Sequence, residues 1–195
     1  MKIRALKLQN FKKVQDPTED KSWSFLIASP SHSGDFFEES VILLLQDSED
    51  GAFGIALNKP SGKHLGDISD EFEGLEEIEI FSGGPVNETA IGIAVCAKNN
   101  TDELGGKFVF GAAPKDAIAE LSKDPDARAA AFMGYCGWGA GQLKKEIEEG
   151  AWIVMNADME LVFDTPPEFL WRELVLREMP EFDALPPPET SPDLN

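Results

Sequence analysis

The chain has 195 residues, enough for one domain with a full core, and its 42% hydrophobic and 27% charged content is that of a soluble globular protein. Acidic residues outnumber basic ones, 36 to 17, for a net charge of −19. That balance opposes a nonspecific grip on nucleic-acid phosphates, which needs clustered Lys and Arg. No apolar run approaches the ~20 residues of a membrane span, so no membrane association is expected.

The first residues, Met1 to Phe11, place Lys2, Arg4 and Lys7 among apolar residues and lack the unbroken apolar core of a signal peptide. The expected compartment is the cytoplasm. Cys96 and Cys136 form no Cys-x-x-Cys, and no histidine stands at metal-ligand spacing. Two reduced thiols are expected, with no metal and no cofactor.

In chain order, residues 1–22 read as a polar N-terminal arm or short helix. Phe25 to Ala28 is a buried strand bounded by Ser29-Pro30. Ser31 to Asp35 is loop. Val41 to Gln46 is a strand whose unbroken apolar character predicts cover on both faces. Asp47 to Gly51 turns the chain as a hairpin into a strand from Ala52 to Leu57, which Asn58-Lys-Pro60 ends. Leu65 to Phe72 reads as a short acidic helix. Ile78 to Phe81 is a strand that runs into Ser82-Gly-Gly-Pro85, and Ala90 to Val95 is another. A polar turn follows from Lys98 to Gly106, then a short strand over Phe108 to Phe110.

Pro114 starts a helix that runs to Lys123, since proline is well tolerated in a first turn. Ala127 to Met133 is ambiguous: alanine favours helix, and entry into a glycine-rich stretch favours strand. That stretch holds Gly134, Gly137, Gly139 and Gly141 among Tyr135, Cys136 and Trp138, and predicts a tight backbone passage with rings held over it. A helix follows from about Ala140 to Glu149, with Gly150 as its C-terminal cap. Trp152 to Met155 and Leu161 to Phe163 read as a hairpin. Thr165 to Glu168 reads as a capping box, followed by a helix whose apolar face is Phe169, Leu170, Leu174 and Val175. The last sixteen residues hold 5 of the 13 prolines, so residues 180–195 are expected to form a mobile tail. Strands mixed with helices give one α/β domain of the mixed α+β kind, over residues 23–179.

Three strand ends marked by glycine or proline are the candidate binding loops: Asn58 to Pro60, Ser82 to Pro85, and Gly134 to Gly141. The candidate ligand-binding residues are Asn58, Lys59, Gly83, Gly84, Tyr135, Trp138 and Gln142. The turn entering the helix at Ala140 could offer free amides to an anion, yet neither a dinucleotide fingerprint nor a P-loop is present. Cys136 is a candidate nucleophile only if His32 or His64 approaches as a base. The carboxylates show no acid/base spacing, and no residue is assigned as catalytic.

Taken together, Phe25-Leu-Ile-Ala-Ser-Pro30, Asp35-Phe36 with Ser40-Val41, Gly54-Ile-Ala-Leu-Asn-Lys-Pro60, Gly83-Gly-Pro85, Gly134 to Leu143, Glu146-Ile147 with Trp152, Ala157-Asp158, Phe163-Asp-Thr-Pro166 and Trp171-Arg172 resemble the bacterial AlgH/YqgE-like proteins. The resemblance runs from about Phe25 to Leu174. It implies a single mixed α/β domain with a large, strongly curved mixed sheet flanked by helices. In that fold Ala129 to Tyr135 is a strand. It also implies a bacterial cytoplasmic protein, and a family association with transcriptional control. It implies no particular activity. The leading expectation is therefore a non-enzymatic binding or regulatory protein that takes a small molecule or a protein segment in a cleft. An enzyme of hydrolase or transferase type using Cys136 in the same cleft is the alternative, and a transcriptional regulator is a third reading.

Overall fold

The computed structural model describes residues 14–15, 23–97 and 108–184. The polar turn expected at Lys98 to Gly106 lies outside these residues, as do all of the N-terminal arm but two positions. Among the described residues, ten strands lie in one mixed sheet, with four α-helices and three 3₁₀ turns around it. The strands are β1 (Val14–Gln15), β2 (Ser24–Ala28), β3 (Val41–Ser48), β4 (Gly51–Ala56), β5 (Pro60–His64), β6 (Glu79–Ser82), β7 (Val86–Cys96), β8 (Phe108–Phe110), β9 (Arg128–Gly139) and β10 (Trp152–Asn156). The helices are α1 (Pro114–Lys123), α2 (Gln142–Glu148), α3 (Met159–Asp164) and α4 (Pro167–Glu178).

The sheet order is β1-β8-β7-β9-β4-β3-β2-β10, with β5 and β6 branching from β9. β9 is the hinge of the sheet. Its first half pairs antiparallel with β7 (Ile93↔Ala131) and parallel with β6 on the other side (Ile80↔Ala131). Its second half pairs with β4 (Gly54↔Cys136, Ala52↔Trp138). A strand with neighbours on both edges must stay extended, and that overrides the helix propensity of its three alanines. It also carries the glycine-rich stretch. Gly134 to Gly139 is therefore the continuation of a strand, where a turn was expected from the glycines.

Alternation along the strands fills both faces. Phe25 and Ile27 of β2, with Val41 and Leu43 of β3, join Phe132, Leu170, Trp171, Leu174 and Val175 in a core under α4. Leu26, Ala28 and Ile42 point the other way, into a cluster with Cys136, Trp138, Leu143 and Trp152 under α2. A third cluster joins Leu65, Phe72, Ile91, Ile93, Val95 and Ala117, which seats α1 on the β7 half.

Three local expectations are corrected. Leu161 to Phe163 is helical, within α3, because β10 finds its partner in β2 (Trp152↔Ala28, Met155↔Phe25) and needs no hairpin. Asp158 starts that helix by accepting the Leu161 N–H at 3.2 Å. The capping box at Thr165 does not form: Thr165 closes α3 through its own N–H to Leu161 O, and α4 begins at Pro166-Pro167 without a side-chain cap. The buried face of α4 is Leu170, Trp171, Leu174 and Val175, while Phe169 stays 47% exposed. Trp171 ties α4 to the sheet by donating its indole N–H to Ala28 O at 2.8 Å.

Two smaller differences bear on the ends of elements. Leu65 to Phe72 is a pair of 3₁₀ turns, Leu65–Asp67 and Asp70–Phe72. The stretch expected as tail begins with a 3₁₀ turn, Pro180–Ala184, whose Phe182 ring meets Trp171 edge-on at 5.6 Å. Residues 185–195 lie outside the described residues. No helix among the described residues is long and apolar enough to cross a membrane.

Candidate functional site

The first five candidate residues gather where the chain leaving β4 and β6 crosses the middle of β9. Ser82 N–H donates to Lys59 O at 2.7 Å, Gly83 N–H to Met133 O at 2.7 Å, and Ala56 N–H to Gly83 O at 2.9 Å. Asn58 is buried. Its Oδ1 accepts the Val41 N–H at 2.9 Å and its Nδ2 donates to Glu39 O at 2.8 Å, which pins the turn after β4 to the start of β3. Gly83 and Gly84 have backbone pressed against them. A Cβ on Gly84, at φ +154°, would fall 2.1 Å from the Tyr135 carbonyl carbon, and one on Gly83 would fall 2.5 Å from Gly134 O. Here glycine permits backbones to pack on one another. The Tyr135 ring lies half-buried, edge-on to Phe53 at 6.0 Å.

Lys59 donates to Glu38 O and faces Asp35, Glu38 and Glu39. Burial is the largest influence on it and takes its pKa below the usual lysine value, against the pull of those carboxylates. This candidate side chain is thus fastened to the loop before β3.

Trp138, further along β9, and Gln142, the first residue of α2, meet at a second constellation centred on Glu146 of α2. Both Trp138 Nε1 and Trp152 Nε1 donate to Glu146 Oε2 at 2.8 Å. Gln142 Nε2 donates to Oε1 at 2.9 Å, and Gln142 Oε1 accepts the Gly139 N–H at 3.0 Å. Gln142 therefore takes an amide that the anion-binding reading of this turn would have left free. Burial alone would raise the Glu146 pKa, but the hydrogen bonds from Trp152, Gln142 and Trp138, with the nearby His32, outweigh it and hold the carboxyl below the usual range. His32 stacks on Trp152 at 6.1 Å and bonds Asp35 Oδ1 at 2.9 Å.

Beyond Trp138 the end of β9 opens onto a groove of about 710 Å³. One wall is the β3–β4 turn, with Asp47, Ser48 and Glu49. The other is α2, with Lys144 and Glu148. Ala52, Leu143 and Ile147 give the groove its apolar floor, and Gly51, Gly139 and Gly141 supply bare backbone. Gly141 holds the left-handed turn into α2 at φ +72°, and a Cβ there would meet nothing within 4 Å.

Cys136 is fully buried, and its Sγ donates to Gly83 O at 3.3 Å. Burial pushes the thiol pKa up to about 12, so almost no thiolate exists at neutral pH. His32 is committed to Asp35, while His64 lies beside Asp67 at the end of β5.

Sequence reasoning named Glu146 and Trp152 only as part of the family resemblance, with no site role, and did not anticipate the groove. Gln142 and Glu146 stand four apart at the start of a helix, the spacing of a side-chain pair. Two acidic runs, Asp47 to Asp50 and Glu146 to Glu149, were also visible as charge. Their meeting across a groove was not.

The sequence profile described as AlgH-like (DUF179) matches residues 25–182. This chain belongs to the AlgH-like family. Similar proteins include UPF0301 protein SCO2948 of Streptomyces coelicolor, 36% identical over 182 residues, 87% of this chain and 93% of the relative. UPF0301 protein AlgH of Pseudomonas aeruginosa is 31% identical over 155 residues, 74% of this chain and 81% of that one. Among solved structures, the fold is similar to the solution structure of AlgH from P. aeruginosa, with TM-score 0.62 and 27% identity over 85% of this chain and 92% of that one. It is also similar to the crystal structure of protein DIP2367 from Corynebacterium diphtheriae, with TM-score 0.63 and 27% identity over 79% of this chain and 85% of that one. Both support an AlgH-like mixed α+β fold with a large mixed sheet.

Proposed function

We propose that this AlgH-like chain is a non-enzymatic binding or regulatory protein of the bacterial cytoplasm, with its ligand surface in the groove between the β3–β4 turn and α2. One observation carries the reading: an open space of about 710 Å³ with an apolar floor of Ala52, Leu143 and Ile147 under a charged rim. Ligand sites commonly occupy ~300–1,000 Å³ and combine apolar lining with a few polar groups. Trp138 and Gln142 serve this surface through Glu146, which ties α2 to β9 and β10. Asn58, Lys59, Gly83, Gly84 and Tyr135 serve it at a distance, by holding the crossing from which β9 runs to the groove. The burial of Cys136 weighs against the alternative of a thiol enzyme in the same place.

The test is a fragment screen read by methyl and amide NMR on the full chain. Binding should move the signals of Ala52, Leu143 and Ile147 together with Gly139 and Gly141. Ile147→Glu should abolish those shifts while leaving the melting curve cooperative. A screen that moves other regions but never this group of signals would overturn the proposal.

A further inference from the structure

The charge around the groove names what it takes. We infer that the groove is a docking site for a cationic peptide segment of a partner protein, one in which Lys or Arg alternate with aliphatic residues. This rests on the groove being the binding surface, as proposed above.

Three carboxylates line the groove, Asp47, Glu49 and Glu148, against one ammonium, Lys144. That ammonium is already engaged by Glu148 at 3.9 Å. Asp50 at the hairpin tip is exposed and extends the acidic rim on one side; Glu149, just past α2, is exposed on the other and pairs with Lys145 at 3.6 Å. The rim belongs to a chain of net charge −19, so the long-range field also favours a basic arrival.

Charge alone would suit a small polyamine, but the floor would not. Half-buried Ile147, with the buried Ala52 and Leu143 behind it, presents aliphatic surface that a bare polyamine cannot match, whereas Leu or Ile side chains of a peptide can cover it. The stems of Lys and Arg can lie along the same apolar walls while their heads reach the carboxylates. A nucleic acid meets like charge on both walls and is excluded by the same rim.

The probes are three short labelled peptides on the full chain: Leu/Lys, Leu/Glu and Leu/Gln, equal in length and pattern. The Leu/Lys peptide should bind, move the signals of Ala52, Leu143 and Ile147, and weaken as salt is raised through about 0.1 M and beyond. Replacing the rim together, Asp47→Asn, Glu49→Gln and Glu148→Gln, should weaken it by about tenfold or more. These three side chains are exposed, so the variant should keep the native melting temperature.

A control variant removes as much charge elsewhere: Glu71→Gln, Glu73→Gln and Glu77→Gln, exposed before β6. It should leave the affinity within about twofold. An equal loss in the control would mean that net charge, not the rim, attracts the peptide, and the inference falls. Equal binding of the Leu/Gln and Leu/Lys peptides in the groove removes the cationic class while leaving the groove as the ligand site. If no peptide and no fragment moves the groove signals, both readings fail. A variant with Lys2, Arg4, Lys7, Lys12 and Lys13 changed to Gln tests the chain's own basic residues. If that variant alone moves the groove signals, the chain itself supplies the occupant, and the partner segment is excluded.

Discussion

Replacing Glu146 with alanine should be among the more damaging single changes on the α2 side of the sheet. The carboxylate accepts the indole N–H of Trp138 and of Trp152, each at 2.8 Å, and the Gln142 amide at 2.9 Å. The two tryptophans are only 7% and 5% exposed, so neither indole can turn to solvent when its acceptor is removed. Leaving a buried donor unsatisfied costs ~1–3 kcal/mol. Both bonds are part-buried rather than deep, so the lower half of that range applies, giving about 2–4 kcal/mol for the pair. For a chain of this length that is a fall of ~4–16 °C in melting temperature. Glu146→Gln keeps an acceptor oxygen and should lose about 1 kcal/mol, mostly the charge assistance.

The same pair of variants has a pH signature. The folded carboxyl titrates below the usual glutamate value, so its contribution is fully present at neutral pH and disappears as the pH falls through the folded pKa. The gap between wild type and Glu146→Gln should therefore narrow below about pH 4.3. Urea melts followed by tryptophan fluorescence at neutral and acid pH measure both effects. An alanine variant less than about 0.5 kcal/mol weaker than wild type would show that the three hydrogen bonds do not act as an anchor, and the reasoning would be wrong.

Four further outcomes are expected. Cys136, with its thiol pKa near 12, should resist alkylation in the native protein at pH 8 and react after unfolding; full native labelling would contradict its burial. Gly84→Ala must push a Cβ into the Tyr135 backbone, so it should cost about 3 kcal/mol or more, seen as loss of soluble folded protein or a much lower urea midpoint. Truncation after Met179 removes the Phe182 ring from Trp171 and from the Arg172 guanidinium 5.7 Å away; a loss of about 1–2 kcal/mol in melts is expected, where the proline content alone predicts none. Duplex DNA should show no shift in a gel at physiological salt below ~10⁻⁶ M protein, given 36 acidic residues against 17 basic ones; submicromolar, salt-sensitive binding would reverse that reading.

Much of the fold follows from local pattern alone. The runs Phe25 to Ala28, Val41 to Gln46, Ala90 to Val95 and Phe108 to Phe110 are strands as their apolar content predicts, and α1 spans Pro114–Lys123 as its opening proline predicts. Gly150 closes α2 at φ +77°. These features depend on side-chain period, turn chemistry and backbone freedom, which a few neighbouring residues determine. Motif order did the rest for family and sheet type, including the strand state of Ala129 to Tyr135.

What the chain could not show by itself depends on partners far along it. Ala131 is extended because Ile80 and Ile93 flank it on both edges, and Leu161 to Phe163 is free to be helical because β10 is already paired with β2. Gly83 and Gly84 looked like open loop residues until Gly134 and Tyr135 were laid across them. Glu146 gained its role only when β9 and β10 brought two indoles to one oxygen, and the groove only when the Asp47–Gly51 turn came to face α2. Each of these is set by contacts between segments distant in the chain, and no local window contains both partners.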